Sequence, residues 1–144
     1  MAQAISKPQV EPAAEAWELC MELFGVDRPR MLDIQAEYGL KPPQFFALQA
    51  LDQPLPMSDI ANILRCDRSA VTWITDRLEE RGYVERRSDA HDRRVKLLAL
   101  TEEGRRVREE IRARLATPPA ALKRLTAPEQ RQLRDLLRKT LERD

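Results

Sequence analysis

The chain has 144 residues, the size of one domain or one compact subunit. It is 42% hydrophobic and 34% charged with only 4 glycines, a balance that excludes a disordered or collagen-like chain. No apolar stretch approaches the ~18 residues of a membrane-spanning helix, and the first ten residues contain no apolar core of a secretion signal. We therefore expect a cytoplasmic protein with no membrane partner.

The net charge is only +1, but the two signs are unevenly distributed along the chain. Residues 1–62 carry 4 basic and 9 acidic side chains, whereas residues 63–144 carry 21 basic and 15 acidic ones. This asymmetry favours an anionic partner for the second half. Two solvated helical surfaces of opposite charge would give the same counts. The residue pattern therefore has to distinguish an anionic partner from such surfaces.

The N-terminal part is predicted to be an arm followed by helix. Residues 1–11 are small and polar and predict a flexible arm. From Pro12 to Gly39 apolar side chains recur at spacings of three and four, with Pro29 in the middle. The pattern predicts either one long helix kinked near Pro29 or two shorter helices.

The next elements have the order of a helix-turn-helix motif. A helix over residues 42–53 is followed by a short one that ends at Leu64, for which Ser58 is the predicted N-cap. Asp67 is the predicted N-cap of a longer helix, and Gly82 ends that helix in the left-handed conformation that glycine tolerates. A short helix, a three-residue turn and a longer helix are typical of this motif.

After Gly82 the hydrophobic period changes from helical to extended. Tyr83–Arg87 and Val95–Thr101 predict two short strands joined by the polar turn Ser88–Asp92. Thr101 is the predicted N-cap of a further helix, and the last helix opens with a capping box at Thr126. The predicted fold is mainly α, with about six helices and a small β-hairpin wing: a winged helix-turn-helix.

One side of the second helix of this motif carries side chains suited to DNA. They lie opposite the apolar stripe, on the side that also carries Asp76, and are Arg68, Ser69, Thr72, Trp73 and Arg77. The major groove admits an α-helix, and side chains of these types bind base edges there. Trp73 is open to two interpretations: contact with a thymine methyl group, or packing in the core or a ligand pocket.

The wing is strongly basic, with five basic and two acidic side chains over residues 86–96. An arginine inserted into a narrow minor groove gains from the concentrated negative potential there, and Arg93 and Arg94 follow the predicted turn. Asp92 is two residues from Arg94 and is expected to hold its guanidinium in a bidentate pair. The alternative is a surface ion pair worth about 0–1 kcal/mol.

Four stretches together resemble the MarR family (multiple antibiotic resistance regulators) of prokaryotic transcription factors. They are Leu40–Leu48, Arg81–Arg87, Asp92–Arg94 and Leu100–Gly104. The resemblance implies a winged-helix regulator, most often a repressor, that binds a pseudo-palindromic operator in double-stranded DNA. It covers roughly residues 12–143.

The resemblance also implies an obligate homodimer. Residues 12–39 and 102–144 would form the dimer interface, and residues 40–101 would form the DNA-binding domain. Apolar stripes in the terminal helices support this independently, because the small winged-helix core cannot cover all of them. Further DNA contacts are expected at the phosphates, from Ser58, Arg86 and Arg87.

Regulation is open to two interpretations. In one, a small aromatic or anionic effector enters a pocket lined by Trp17, Met31, Phe45 and Trp73 and releases the operator; ordinary core packing would also explain these side chains. In the other, Cys20 senses oxidants, as a cysteine of that helix does in some relatives. The apolar neighbours of Cys20 favour an unreactive thiol, and Cys66 in the turn is expected to be packed.

Enzymatic chemistry has little support in the sequence. The only histidine, His91, lies in a charged turn, and the two cysteines lack metal-ligand spacing. We expect no catalytic residue, no metal and no cofactor. The remaining alternative is a helical dimer that binds a protein partner and does not bind DNA; such an adaptor would not need Arg68 together with Asp92–Arg94.

Overall fold

The computed structural model describes residues 11–142, so the arm predicted over residues 1–11 lies, except for Glu11, outside the described residues. The chain forms two compact units. One consists of the residues up to Arg30 together with those from Pro118 onward, and the other of Met31–Thr117. The second unit contains all the strands and the predicted helix-turn-helix motif.

Six α-helices and a three-stranded sheet lie within the described residues, as the sequence predicted in outline. In chain order they are α1 (Pro12–Glu37), α2 (Pro42–Ala50), β1 (Leu55–Pro56), α3 (Met57–Leu64), α4 (Arg68–Glu80), β2 (Val84–Ser88), β3 (Lys96–Leu100), α5 (Glu102–Leu115), a 3₁₀ helix (Ala120–Arg124) and α6 (Ala127–Leu141). Sequence analysis missed β1 and the 3₁₀ helix, which are too short to produce a periodic pattern.

The first helix is continuous. Helix α1 passes through Pro29, and the ion pair between Asp27 and Arg30 (2.7 Å) spans the proline. Of the two alternatives, one long helix is therefore the observed one. Cys20 on this helix is exposed in the single chain.

The start of α3 differs from the prediction. The N-cap is Pro56 and the helix begins at Met57, so Ser58 is an exposed residue of the first turn and not the cap. The reason is β1, which pairs with β3 (Leu55 opposite Leu98) and leads the chain straight from strand into helix. The helix ends at Arg65, whose φ of 50° is left-handed. Such a conformation is uncommon for a residue with a side chain.

The sheet has the order β1-β3-β2 and is antiparallel throughout. In the hairpin Val84 pairs with Leu100 and Ser88 with Lys96. At its base, Thr101 caps α5: its hydroxyl accepts the Gly104 N–H (3.0 Å) and donates to the Gly82 carbonyl (2.5 Å). Gly82 has a φ of +74°, which confirms the predicted left-handed turn between α4 and the wing.

A single apolar core joins these elements in the unit Met31–Thr117. Its buried side chains come from α1, α2, α3, α4, the hairpin and α5, and include Ile34, Phe45, Leu48, Ile60, Val71, Ile74, Leu78, Leu98, Val107 and Ile111. The core fixes α4 and the hairpin relative to each other. None of the described helices combines the length and the apolar character that a membrane span requires.

Candidate nucleic-acid interface

The N-terminus of α4 is fixed by Asp67, as predicted. Its carboxylate accepts the Ala70 N–H (2.8 Å) and the Ser69 hydroxyl (2.7 Å). These two donors, the backbone one foremost, hold the pKa of Asp67 below its usual range. Thr72 donates its hydroxyl to the Arg68 carbonyl (3.0 Å), so the protons of both predicted hydroxyls are used within the helix. Their oxygens are left to accept bonds from a ligand.

A groove brings together predicted residues from three different elements. Its volume is about 470 Å³, and its polar lining consists of Ser58 from α3, Arg68 and Thr72 from α4, and Arg94 and Lys96 from the wing. Among the described residues, no carboxylate lies within ion-pair distance of Arg68, Arg94 or Lys96. Three uncompensated cations on one concave surface are suited to a polyanion.

Farther along α4 lie the predicted residues Arg77 and Trp73. Arg77 forms an ion pair with Glu80 (2.8 Å), so its guanidinium already has an anionic partner. Trp73 is 44% exposed and is not a core residue. It lines an apolar groove of about 360 Å³ beside Phe46 and Cys66, and the Lys41 ammonium lies 6.0 Å from its ring centroid.

The tip of the wing is formed by two aspartates. The Asp89 carboxylate accepts the N–H groups of His91 (2.7 Å) and Asp92 (2.9 Å). These bonds, chiefly the one from Asp92, lower the pKa of Asp89. The Asp92 carboxylate in turn accepts the backbone N–H of Arg94 at 2.9 Å.

The predicted guanidinium pair between Asp92 and Arg94 is therefore not observed. The prediction assumed an extended strand over these residues, but β3 begins only at Lys96 and residues 92–95 form a turn. In that turn the carboxylate folds back onto the backbone. Asp92 holds the main chain that carries Arg94 and leaves the exposed guanidinium free of an ion pair with it.

The two arginines of β2 also have protein partners. Arg86 is bound to Thr75, Asp76 and Glu79 of α4, and Arg87 is bound to its neighbour Glu85. Arg86 is predicted to contact a phosphate, and in the structure its two terminal guanidinium nitrogens bind side chains of α4. The sequence pattern could not reveal the bonds of Arg86, because Arg86 lies on β2 and its partners lie on α4. These two elements meet only across the turn at Gly82.

The residues predicted to line an effector pocket occupy different environments. Phe45 is 3% exposed and belongs to the core, whereas Met31 is half-buried. Trp17 is 65% exposed on α1, in the other compact unit.

A short helix, a tight turn, a capped second helix and a basic hairpin define a winged helix-turn-helix protein. The MarR family model matches residues 40–96. The HTH-type transcriptional repressor MdtR of Bacillus subtilis is 39% identical over 93 residues, which cover 63% of this chain and 60% of MdtR. The match thus spans less than two thirds of the length of MdtR.

Two solved structures extend the similarity to nearly the whole chain. The YusO protein of Bacillus subtilis is 33% identical with a TM-score of 0.73, covering 93% of this chain and 97% of YusO. A MarR family protein from Bacillus stearothermophilus is 29% identical with a TM-score of 0.73, covering 90% and 96% of the two chains. The chain belongs to the MarR family.

Proposed function

We propose that this protein is a sequence-specific regulator of transcription that binds double-stranded DNA, and that it acts as a repressor. The observation that carries the proposal is the groove in which Ser58, Arg68 and Thr72 of the helix-turn-helix meet Arg94 of the wing. With α4 in the major groove, the wing would reach the adjacent minor groove. The description of the relative MdtR as a repressor supports the direction of regulation.

We propose that the working form is a homodimer. The unit that holds the chain ends exposes large apolar side chains on α1 and α6, among them Trp17, Phe24 and Leu141. It also contains an open apolar groove of about 380 Å³ between the 3₁₀ helix and α6. Exposed apolar surface of this kind is typical of an interface. A second copy of the chain would cover this apolar surface. The two winged helix-turn-helix domains would then lie about one helical turn apart (~34–36 Å) on DNA.

A protein adaptor without DNA binding is less well supported, because it would not need three uncompensated cations around one groove. We propose no enzymatic activity, and we place the protein in the cytoplasm, where a prokaryotic chromosome lies. A small aromatic or anionic effector and oxidation of Cys20 both remain proposals for the signal that releases DNA. The exposure of Cys20 makes the second of these directly testable by peroxide treatment.

The proposal is tested by titrating the protein with duplex fragments of its source genome at several salt concentrations. Binding should weaken steeply with salt, with a log–log slope near −0.9 per phosphate neutralised. Arg94→Ala should cost about 1–3 kcal/mol of affinity for a selected fragment. Arg81→Ala removes the same charge from the exposed C-cap of α4, at the opposite end of that helix from Arg68, and is the matched control, which should bind like the wild type. A salt-independent response, or equal losses in both variants, would contradict the proposal.

A further inference from the structure

Arg86 connects the wing to the recognition helix through one guanidinium group. From β2 it donates to the Thr75 hydroxyl (2.8 Å) and to the Asp76 carboxylate (2.5 Å), and it also pairs with Glu79. Thr75 is fully buried, so its bond anchors the Arg86 guanidinium against the core. The Arg86 side chain is 29% exposed, against 49% and 42% for the two carboxylates, so the arginine lies beneath them and they face solvent.

The acidic side chains of α4 explain why the Arg86 guanidinium would matter for a helix that approaches DNA. The helix carries three acidic side chains along its C-terminal half, and they form an open acidic surface: Asp76, Glu79 and Glu80. Arg77 compensates Glu80 within the helix. Within the described part of the chain, Asp76 and Glu79 form no ion pair with a basic side chain of α4, and both are paired with Arg86.

We infer that Arg86 is a positioning residue that neutralises Asp76 and Glu79 so that the recognition helix can approach the phosphate backbone. It acts through these carboxylates and not by touching DNA. Without it, two like charges would face a polyanion, and juxtaposed like charges strongly disfavour association. The inference rests on the proposed DNA-binding function and adds a residue whose contribution depends entirely on its two acidic partners.

A double-mutant cycle separates this role from a direct phosphate contact. Arg86→Gln is made in the wild-type protein and in the Asp76→Asn/Glu79→Gln background, and the affinity for one selected duplex is measured by fluorescence anisotropy. We expect Arg86→Gln to weaken binding on the order of tenfold in the wild type. In the background without the two carboxylates the same change should have almost no effect, because nothing is left to neutralise.

Arg87→Gln is the matched control, since it removes the same charge from the next residue of the same strand and its partner is Glu85. Its effect should be equal in both backgrounds. If Arg86→Gln does not fold, Arg86→Lys enters the same cycle. Lysine keeps the positive charge but lacks the planar fork of the guanidinium, so a smaller loss, again confined to the wild-type background, is expected.

Equal losses from the Arg86 substitution in both backgrounds would overturn the inference, because a phosphate contact does not depend on the carboxylates. This outcome is distinct from failure of the proposed function. If the function is wrong, the wild-type protein itself shows no salt-dependent binding to any selected duplex.

Discussion

Gly104 offers a sharp test of the packing at the base of the wing, because helix propensity and the structure predict opposite effects of Gly104→Ala. Alanine is the better helix former, and in an open helical position the exchange stabilises a protein by up to about 1 kcal/mol. Here, however, a Cβ at residue 104 would lie 1.8 Å from the Tyr83 carbonyl oxygen. Since ordinary contact requires at least 3.4 Å, α5 and the start of β2 would have to separate by about 1.6 Å.

That separation breaks specific bonds. Thr101 donates its N–H to the same Tyr83 carbonyl (3.1 Å) and its hydroxyl to the Gly82 carbonyl (2.5 Å). Overpacking costs about 1–3 kcal/mol, and each weakened hydrogen bond adds about 1 kcal/mol. With both hydrogen bonds weakened, and after the gain in propensity of up to about 1 kcal/mol is subtracted, the net loss in the free energy of unfolding is about 2–4 kcal/mol.

The assay is urea unfolding followed by tryptophan fluorescence, at one protein concentration because the stability of a dimer depends on it. Gly25→Ala is the matched control: Gly25 also lies within a helix, but nothing is within 4 Å of the position its Cβ would occupy. It should stabilise by about 0.5–1 kcal/mol. If Gly104→Ala stabilised the protein as much as Gly25→Ala does, the close approach of α5 to Tyr83 would be refuted.

Three further outcomes follow from the capping and turn bonds. Thr101→Ala should lower the free energy of unfolding by about 1 kcal/mol, measured by the same urea titration, because α5 loses its N-cap; an unchanged midpoint would contradict this. Asp92→Ala should weaken DNA binding although it makes the wing more basic, because the Arg94 N–H loses its acceptor; tighter binding in the anisotropy titration would argue against it. The Asp67 carboxylate has a lowered pKa, so its stabilising effect is present above its ordinary value of 3.8 and is lost as the pH falls through the folded-state value. Between pH 5 and pH 3 the free energy of unfolding should therefore fall less for Asp67→Asn than for the wild type. Parallel pH profiles of the two proteins would contradict a stabilising role of the ionised Asp67 carboxylate.

The winged-helix architecture could be predicted because its determinants are local in sequence. Asp67 and Thr101 are caps that bind N–H groups three residues ahead, and Gly82 supplies a left-handed residue. Each of these signals concerns a few adjacent residues. By contrast, the position of Ser58 depends on the pairing of Leu55 with Leu98, a contact across more than forty residues that no local pattern reveals.

Within the candidate site, the sequence pattern predicted which elements carry the basic side chains but not which partners those side chains have. Arg68 and Arg94 do line one groove, which follows from the order of helix and wing. The sequence pattern predicts a phosphate contact for Arg86 and does not reveal its acidic partners, because they lie on another element. Asp92 was paired with a guanidinium because an extended strand was assumed where the chain turns. Which charges are already compensated is a property of tertiary contacts.

The most direct test of the account is selection of bound fragments from the source genome by the purified protein, followed by sequencing. A dimeric winged-helix regulator is expected to enrich an inverted repeat whose half-sites are separated by about one helical turn, ~10–10.5 base pairs from centre to centre. The Arg94→Ala variant is expected to enrich the same repeat less strongly. Enrichment of no common sequence, or of a single unrepeated site bound by one copy of the chain, would contradict the account.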